Sequence, residues 1–158
     1  MWSTEIENAL SIKKNFIGCF PEDNLPSLPK NLKLYSKSLI INTRPSNEKG
    51  EHWVAIIIHN QKCFYFDSFG LPILSMKLIK FLHPFHVVSY SDVCIQNLSS
   101  NSCGKFCIAF IEYVKSKKSY EKFLLMFDNI NLENNDKIVE DIYQSMITKK
   151  QLKNEHNV

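Results

Sequence analysis

Two apolar runs near the middle of the chain predict a pair of buried strands. The run from Trp53 to His59 is apolar at nearly every position, and the run from Cys63 to Asp67 follows the polar connection Asn60–Lys62. Such short, continuous apolar segments are typical of strands that are covered on both faces of a sheet. The short connection between them predicts an antiparallel pair.

Two shorter apolar segments, Leu39–Asn42 and Val87–Tyr90, predict further strands. The segment Phe16–Pro21 is expected to break the first helix. Prolines punctuate the next segment, Glu22–Asn31, which predicts an extended loop because proline restricts the backbone and removes a donor. Polar residues, a proline and a glycine predict a turn over Arg44–Glu51.

Helical periodicity recurs through the rest of the chain. The predicted helices run from Ser3 or Thr4 to Lys14, and over Met76–Leu82, Cys103–Lys115, Tyr120–Phe127 and Asp136–Met146. The last residues of the chain are expected to be frayed. Helices around a small central mixed sheet predict an α+β fold.

Composition limits the class of protein. A chain of 158 residues fits one domain over 1–158 and can bury a core without disulfide staples. We expect a monomer. No apolar run is long enough to cross a bilayer, so no membrane partner is expected. The N-terminus lacks a basic region followed by an apolar stretch, which predicts that the protein is not secreted.

The cysteines indicate reduced thiols. Five cysteines at irregular spacing fit neither a disulfide framework nor a regular metal site. His83 and His86 form an isolated pair that is weak as a metal signal, so no metal is predicted. The net charge of +3 comes partly from clustered lysines, which are typical of solvated helix ends. Weak DNA binding is kept as a minor hypothesis.

Cys103 is the strongest candidate for a nucleophile. It stands immediately before the helical pattern, where unpaired backbone N–H groups and the helix dipole stabilise a thiolate. Gly104 would leave room for a substrate backbone to approach. The alternative is a half-buried structural cysteine, the role of most cysteines. Cys107 lies one turn further along and is expected in the core.

His52 and Asp67 are the candidates for a base and its orienting acid. A histidine at a sheet margin can reach the start of a helix that packs on the sheet. If the two central strands pair, the acid that ends one lies beside the histidine that opens the other. The alternatives are a surface histidine and an aspartate that caps a turn. The rival bases are His59, His83 and His86.

Gln96 lies upstream of Cys103 and could supply an amide N–H to an oxyanion hole. Together with the backbone N–H of Cys103, it would stabilise the tetrahedral intermediate of acyl transfer. Taken alone, a glutamine in a loop indicates nothing.

These residues occur in a recognisable order. The pattern His52–Ala55, Tyr65–Gly70, Gln96 and Asn101–Cys107 resembles the adenovirus maturation protease family, especially its versions in adenovirus-like viruses, virophages and large self-synthesising DNA transposons. The resemblance covers about residues 16 to 112. It implies an adenain-like, papain-like cysteine protease fold.

The resemblance also implies a function. His52 would be the base, Asp67 the orienting acid, Cys103 the nucleophile and Gln96 the oxyanion donor. The substrates would be capsid precursor proteins, cleaved after small residues in the virion and the infected host cell. An activating peptide and DNA are cofactors that the family implies, although the chemistry itself requires none. The alternative is a protease that removes ubiquitin-like modifiers, which shares the same order of residues.

Overall fold

The computed structural model describes residues 1–28, 36–48, 50–117 and 119–155. The strands are β1 (Phe16–Pro21), β2 (Lys37–Asn42), β3 (Trp53–His59), β4 (Lys62–Phe66) and β5 (His86–Tyr90). The helices are α1 (Ser3–Leu10), α2 (Met76–Leu82), α3 (Cys103–Lys117), α4 (Tyr120–Leu124) and α5 (Glu133–Glu155).

The strands form one five-stranded sheet in the order β1-β2-β3-β4-β5. The three central strands are antiparallel, and each edge strand is parallel to its neighbour. The sheet is therefore mixed and carries helices on both faces. The predicted α+β class and the predicted antiparallel pair are confirmed.

Strand β3 lies in the middle of the sheet and contributes to two separate cores. Ala55 and Ile57 pack against α3 and its helical neighbours, whereas Val54, Ile56 and Ile58 face the core that includes α2. Alternate side chains of a strand point to opposite faces, so burial on both sides requires apolar residues at every position. This requirement explains the unbroken apolar run.

An aromatic cluster joins the sheet to the helices on the α3 side. Phe66 stacks on Phe110, with ring centroids 4.7 Å apart, and meets Phe123 edge-on at 5.4 Å. Phe110 and Phe123 also contact each other edge-on. All three side chains are fully buried. The cluster therefore fixes α3 against the end of β4, from which the chain continues into Asp67.

The prediction that Phe16–Pro21 only breaks the first helix was wrong. It forms β1, which pairs with β2 through an irregular register between Phe16 and Cys19. Gly18 adopts φ +137°, a conformation that favours glycine. The segment contains no polar side chain, but its residues are mostly half-buried, and its glycine and proline resemble the signals that end a helix.

Several predicted boundaries also shift. Helix α1 ends at Leu10, earlier than predicted, and α4 ends at Leu124. Helix α5 begins at Glu133 and continues to Glu155, beyond the predicted end at Met146. The last residues, 156–158, for which fraying is predicted, lie outside the described residues. Glu22–Leu28 contains no helix or strand beyond a turn, as predicted, while the rest of that predicted loop lies outside the described residues.

Replacing Phe110 with alanine should reduce the free energy of unfolding by about 3–5 kcal/mol, because the substitution opens a cavity within the aromatic cluster. Urea denaturation followed by circular dichroism measures the change. Leu125→Ala is the control, since Leu125 is 83% exposed and its loss should change stability by about 0.5 kcal/mol or less. Equal effects of the two substitutions would contradict this description of the core.

Candidate active site

Three elements bring the predicted site residues together. His52 directly precedes β3, Asp67 directly follows β4, and Cys103 is the first residue of α3. Ala55 pairs with Phe66, so the start of β3 and the end of β4 lie side by side. Because α3 packs on β3, its N-terminus reaches the same edge of the sheet.

Asp67 holds the imidazole of His52. The Nε2 atom of His52 donates a hydrogen bond of 3.0 Å to Oδ1 of Asp67, whose residue is only 2% exposed. The same carboxylate oxygen accepts a 2.7 Å bond from the backbone N–H of Phe69. The Phe69 ring also stacks on the imidazole, with centroids 4.9 Å apart. The hydrogen bond to Asp67 therefore holds the edge of the His52 ring, and Phe69 packs against its face.

The remaining ring nitrogen of His52, Nδ1, is available to Cys103. It is buried and has no hydrogen-bond partner of ordinary geometry among the described residues. The imidazole and the thiol nevertheless interact closely enough for each to shift the pKa of the other. This arrangement leaves one nitrogen for the carboxylate and the other for sulfur.

The pKa values of the pair move in opposite directions. Burial alone would lower the pKa of His52, but the hydrogen bonds and charges of Asp67 and Cys103 outweigh it and raise the pKa to about 9. Burial would raise the pKa of the Cys103 thiol, but His52 and the backbone at Trp53 and Gly104 lower it below its usual value. Both shifts favour a thiolate beside an imidazolium.

Cys107 shows that the pKa of a thiol in α3 depends on where the cysteine lies in the helix. It lies one helical turn beyond Cys103, is fully buried, and donates its thiol proton to the backbone oxygen of Trp53 at 3.3 Å. Burial and the charge of Cys103 raise its pKa well above the usual value. The prediction that Cys107 belongs to the core is confirmed.

Gln96 is buried beside Cys103 but already has partners. Its Oε1 accepts a 2.6 Å bond from the hydroxyl of Ser68, and its Nε2 donates to the backbone oxygen and the hydroxyl of Ser100 at 3.0 and 3.1 Å. The amide lines the same cleft as Cys103. For Nε2 to donate to an oxyanion, one of its bonds to Ser100 must be exchanged.

The loop that carries Gln96 is held by residues that the sequence reasoning did not assign. The backbone oxygen of Ser68 accepts bonds from the N–H groups of Ile95 and Gln96 at 2.9 and 3.1 Å. The buried Asn135, in α5, donates 2.8 Å to the backbone oxygen of Ile95. The motif around Asp67 contains Ser68, but no local signal marks Asn135.

Two glycines near the site allow close approach. A Cβ atom on Gly70, which has φ +70°, would come within 2.7 Å of the backbone of Val93. A Cβ atom on Gly104 would lie 2.8 Å from the sulfur of Met1. The prediction that Gly104 leaves space for a substrate backbone was therefore wrong, because the N-terminal segment already occupies that space.

An open cleft leads to Cys103. It has a volume of about 410 Å³, and its walls include Met1, Trp53 and Gln96. The indole N–H of Trp53 donates 3.2 Å to the backbone oxygen of Met1 and holds the N-terminal segment at the rim. A second depression of about 580 Å³ adjoins the other side of His52. The two depressions share Glu51 and Phe69 in their linings; Cys103 lines the first and His52 lines the second.

The rival histidines lie away from this cleft. His59 ends β3 at its far end and bonds Ser36, while the exposed His83 caps the C-terminus of α2. His86 opens β5 and is also exposed.

Within the described ranges, no three histidine, cysteine or acidic side chains converge as metal ligands would. None of the helices in those ranges has the length and apolar character needed to span a bilayer.

A thiol, an imidazole and a carboxylate in this geometry, with an amide nearby, are the groups that thiol proteases use. The chain belongs to the adenovirus endoprotease family, whose sequence profile matches residues 16–156. The resemblance inferred from the motifs is therefore confirmed.

Individual relatives agree with this assignment. The chain is 30% identical over 129 residues to the "Protease" of Ovine adenovirus D serotype 7, covering 68% of this chain and 62% of the relative. Among solved structures, ChlaDub1 from Chlamydia trachomatis has a similar fold, with a TM-score of 0.57 at 14% identity. That match covers 73% of this chain and 62% of the ChlaDub1 chain. The chain thus spans less than two thirds of either protein.

The pKa of Cys103 can be tested through its reactivity, since only the thiolate reacts with iodoacetamide. We expect Cys103 to be alkylated well below the pH at which an ordinary thiol reacts. In His52→Ala, the groups that lower its pKa are partly removed while the effect of burial remains, so the profile should move to higher pH. Mass spectrometry across pH values from about 5 to 10 measures this rate. Superimposable profiles for the two proteins would refute the pairing.

Proposed function

We propose that the protein is a viral cysteine endopeptidase that processes capsid precursor proteins during virion maturation. The observation that carries the proposal is the buried pair of Cys103 and His52, whose pKa values are shifted toward a thiolate and an imidazolium. Membership of the adenovirus endoprotease family supports the reaction class. The similarity to an adenovirus "Protease" supports the viral setting.

The first half of the reaction forms an acyl-enzyme. The thiolate of Cys103 attacks the scissile carbonyl carbon, and the carbonyl oxygen becomes an oxyanion. The backbone N–H of Cys103 and the Nε2 of Gln96 stabilise this charge once Gln96 exchanges a bond to Ser100. The imidazolium of His52 then protonates the leaving amine, and the C–N bond breaks to leave a thioester.

The second half of the reaction releases the acid. His52, now neutral, removes a proton from water, which attacks the thioester and expels the thiolate of Cys103. Asp67 keeps the imidazole oriented through Nε2 in both halves. The two steps restore the starting ion pair.

The shape of the cleft favours small residues at the cleavage site. Cys103 is only 7% exposed, and both Trp53 and the N-terminal Met1 stand in the wall around it. A bulky side chain on the residue that is attacked would meet these walls before its carbonyl reached sulfur. We therefore propose that cleavage follows small residues in extended, accessible segments.

Further parts of the proposal concern the setting. The enzyme would act as a monomer in the virion and the infected cell, with capsid precursors as its partners. A peptide and DNA would act as stimulators rather than as participants in the chemistry, and any DNA binding would be weak because the net charge is only +3.

Cys103→Ala should abolish cleavage of co-expressed capsid precursors, because Cys103 is the thiol that interacts with His52 among the described residues. Mass spectrometry of the precursors reports the activity and the cut site together. Cys19→Ala serves as the control, since burial raises the pKa of that thiol and it lies outside the cleft. Cleavage of the precursors by Cys103→Ala would disprove the mechanism. If the wild-type protein cleaves only substrates linked to a ubiquitin-like modifier, its function is deconjugation and not capsid processing.

Gln96→Ala should lower kcat by about 10²–10³-fold, because an oxyanion donor is lost. KM for a peptide substrate should change little, since this bond forms only after attack. The exposed Gln144, on α5, provides a matched control in Gln144→Ala. Steady-state kinetics of the two variants distinguish the loss of the oxyanion donor from a general effect of replacing a glutamine. An unchanged kcat in Gln96→Ala would remove this residue from the mechanism.

A further inference from the structure

Gln96 differs from the other three site residues in how the fold positions it. The others lie at the ends of β3, β4 and α3, whereas Gln96 lies within residues 91–102, which contain neither helix nor strand. The position of its amide is therefore set by the hydrogen bonds that this segment forms with the rest of the chain. Those bonds decide whether Nε2 reaches the oxyanion that forms when Cys103 attacks.

Helix α5 binds the backbone on both sides of Gln96. Nδ2 of Asn135 donates a 2.8 Å hydrogen bond to the backbone oxygen of Ile95, the residue before Gln96. Oδ2 of Asp136 accepts a 3.3 Å bond from the backbone N–H of Asn97, the residue after it. Two neighbouring residues of one helix therefore hold the two residues that flank the amide.

The side chain of Asn135 is itself fixed. It is fully buried, and its Oδ1 accepts a 2.9 Å bond from the backbone N–H of Asp128, while Nδ2 donates 2.5 Å to the backbone oxygen of the same residue. The carboxylate of Asp128 in turn accepts bonds from the backbone N–H groups of Ile130 and Asn131. Both donors and the acceptor of the Asn135 amide are thus engaged, which fixes the direction in which it holds Ile95.

The side chain of Asp136 is less completely satisfied. Its Oδ1 atom is buried and has no hydrogen-bond partner among the described residues. A buried polar atom without a partner costs stability, so this carboxylate stabilises the fold less than the Asn135 amide does. Removal of Asp136 is therefore expected to affect the position of Asn97 more than the stability of the chain.

We propose that Asn135 and Asp136 are positioning residues for the oxyanion donor, and that they act on the reaction only through Gln96. The inference rests on the proposed function, because it concerns the step in which Nε2 exchanges a bond to Ser100 for one to the oxyanion. A backbone held on both sides of Gln96 keeps Nε2 within reach of the charge during this exchange. Misplacement by about 1 Å can cost about 10²-fold in rate.

A double-mutant cycle on kcat tests the coupling, with a fluorogenic peptide amide that carries glycine before an aminomethylcoumarin leaving group. We expect Asn135→Ala to lower kcat about tenfold and Asp136→Ala about threefold, with little change in KM. In the Gln96→Ala background, either substitution should change kcat by less than about twofold, because the group through which it acts is absent. Asp136→Asn retains an acceptor for the Asn97 N–H and should keep most of the wild-type kcat. Asn134→Ala, at the adjacent exposed position, is the matched control.

Alkylation of Cys103 by iodoacetamide distinguishes positioning from damage to the whole site, since this reaction forms no oxyanion. Its rate in Asn135→Ala and Asp136→Ala should stay within about twofold of the wild-type rate. Alkylation that falls in parallel with kcat, or equal losses of kcat with and without Gln96, would overturn the proposal.

A further measurement requires no peptidase activity. The side-chain NH₂ group of Gln96 is buried, and by NMR its hydrogens should exchange with solvent about tenfold faster in Asp136→Ala than in the wild-type protein. Circular dichroism reports that the variant is folded. Unchanged exchange would overturn the proposal even if kcat falls. If the wild-type protein fails to cleave the peptide amide, the proposed function is wrong, and the exchange rates still decide whether α5 positions Gln96.

Discussion

The contact between the thiol of Cys103 and the imidazole of His52 is the interaction on which the site depends. Burial acts against both charges, since it lowers the pKa of the imidazole and raises that of the thiol. The pKa values shift toward an ion pair only because each group stabilises the charge of the other and Asp67 stabilises the imidazolium. Reactivity therefore depends on positions that the sheet and α3 must maintain together.

The fold sets the positions of His52, Asp67 and Cys103, because each of them lies at the end of a strand or a helix. The pairing of β3 with β4 places His52 beside Asp67, and the aromatic cluster of Phe66, Phe110 and Phe123 holds α3 against the sheet. The hairpin of β3 and β4 and the helix α3 thus hold the three side chains at one edge of the sheet.

Much of this arrangement could be predicted from the sequence, because it rests on local signals. The unbroken apolar run predicts β3, and the helical stripe after Cys103 predicts α3. The candidate catalytic residues lie at the ends of these predicted elements. The partners of Gln96 could not be predicted in this way. Asn135 holds the Gln96 loop from α5, and Ser68 does so from the end of β4, through contacts that exist only after the chain folds. Strand β1 was missed because Gly18 and Pro21 were interpreted as signals of a chain break, although the segment contains no polar side chain.

The most direct test of the central claim is an NMR titration of the His52 ring nitrogens in the wild-type protein and in Cys103→Ala. The account predicts that His52 stays protonated up to a pKa of about 9 in the wild type. It also predicts a lower pKa in Cys103→Ala, because the hydrogen bond and the charge of the sulfur are lost. An ordinary histidine pKa in the wild type, unchanged when the sulfur is removed, would contradict it.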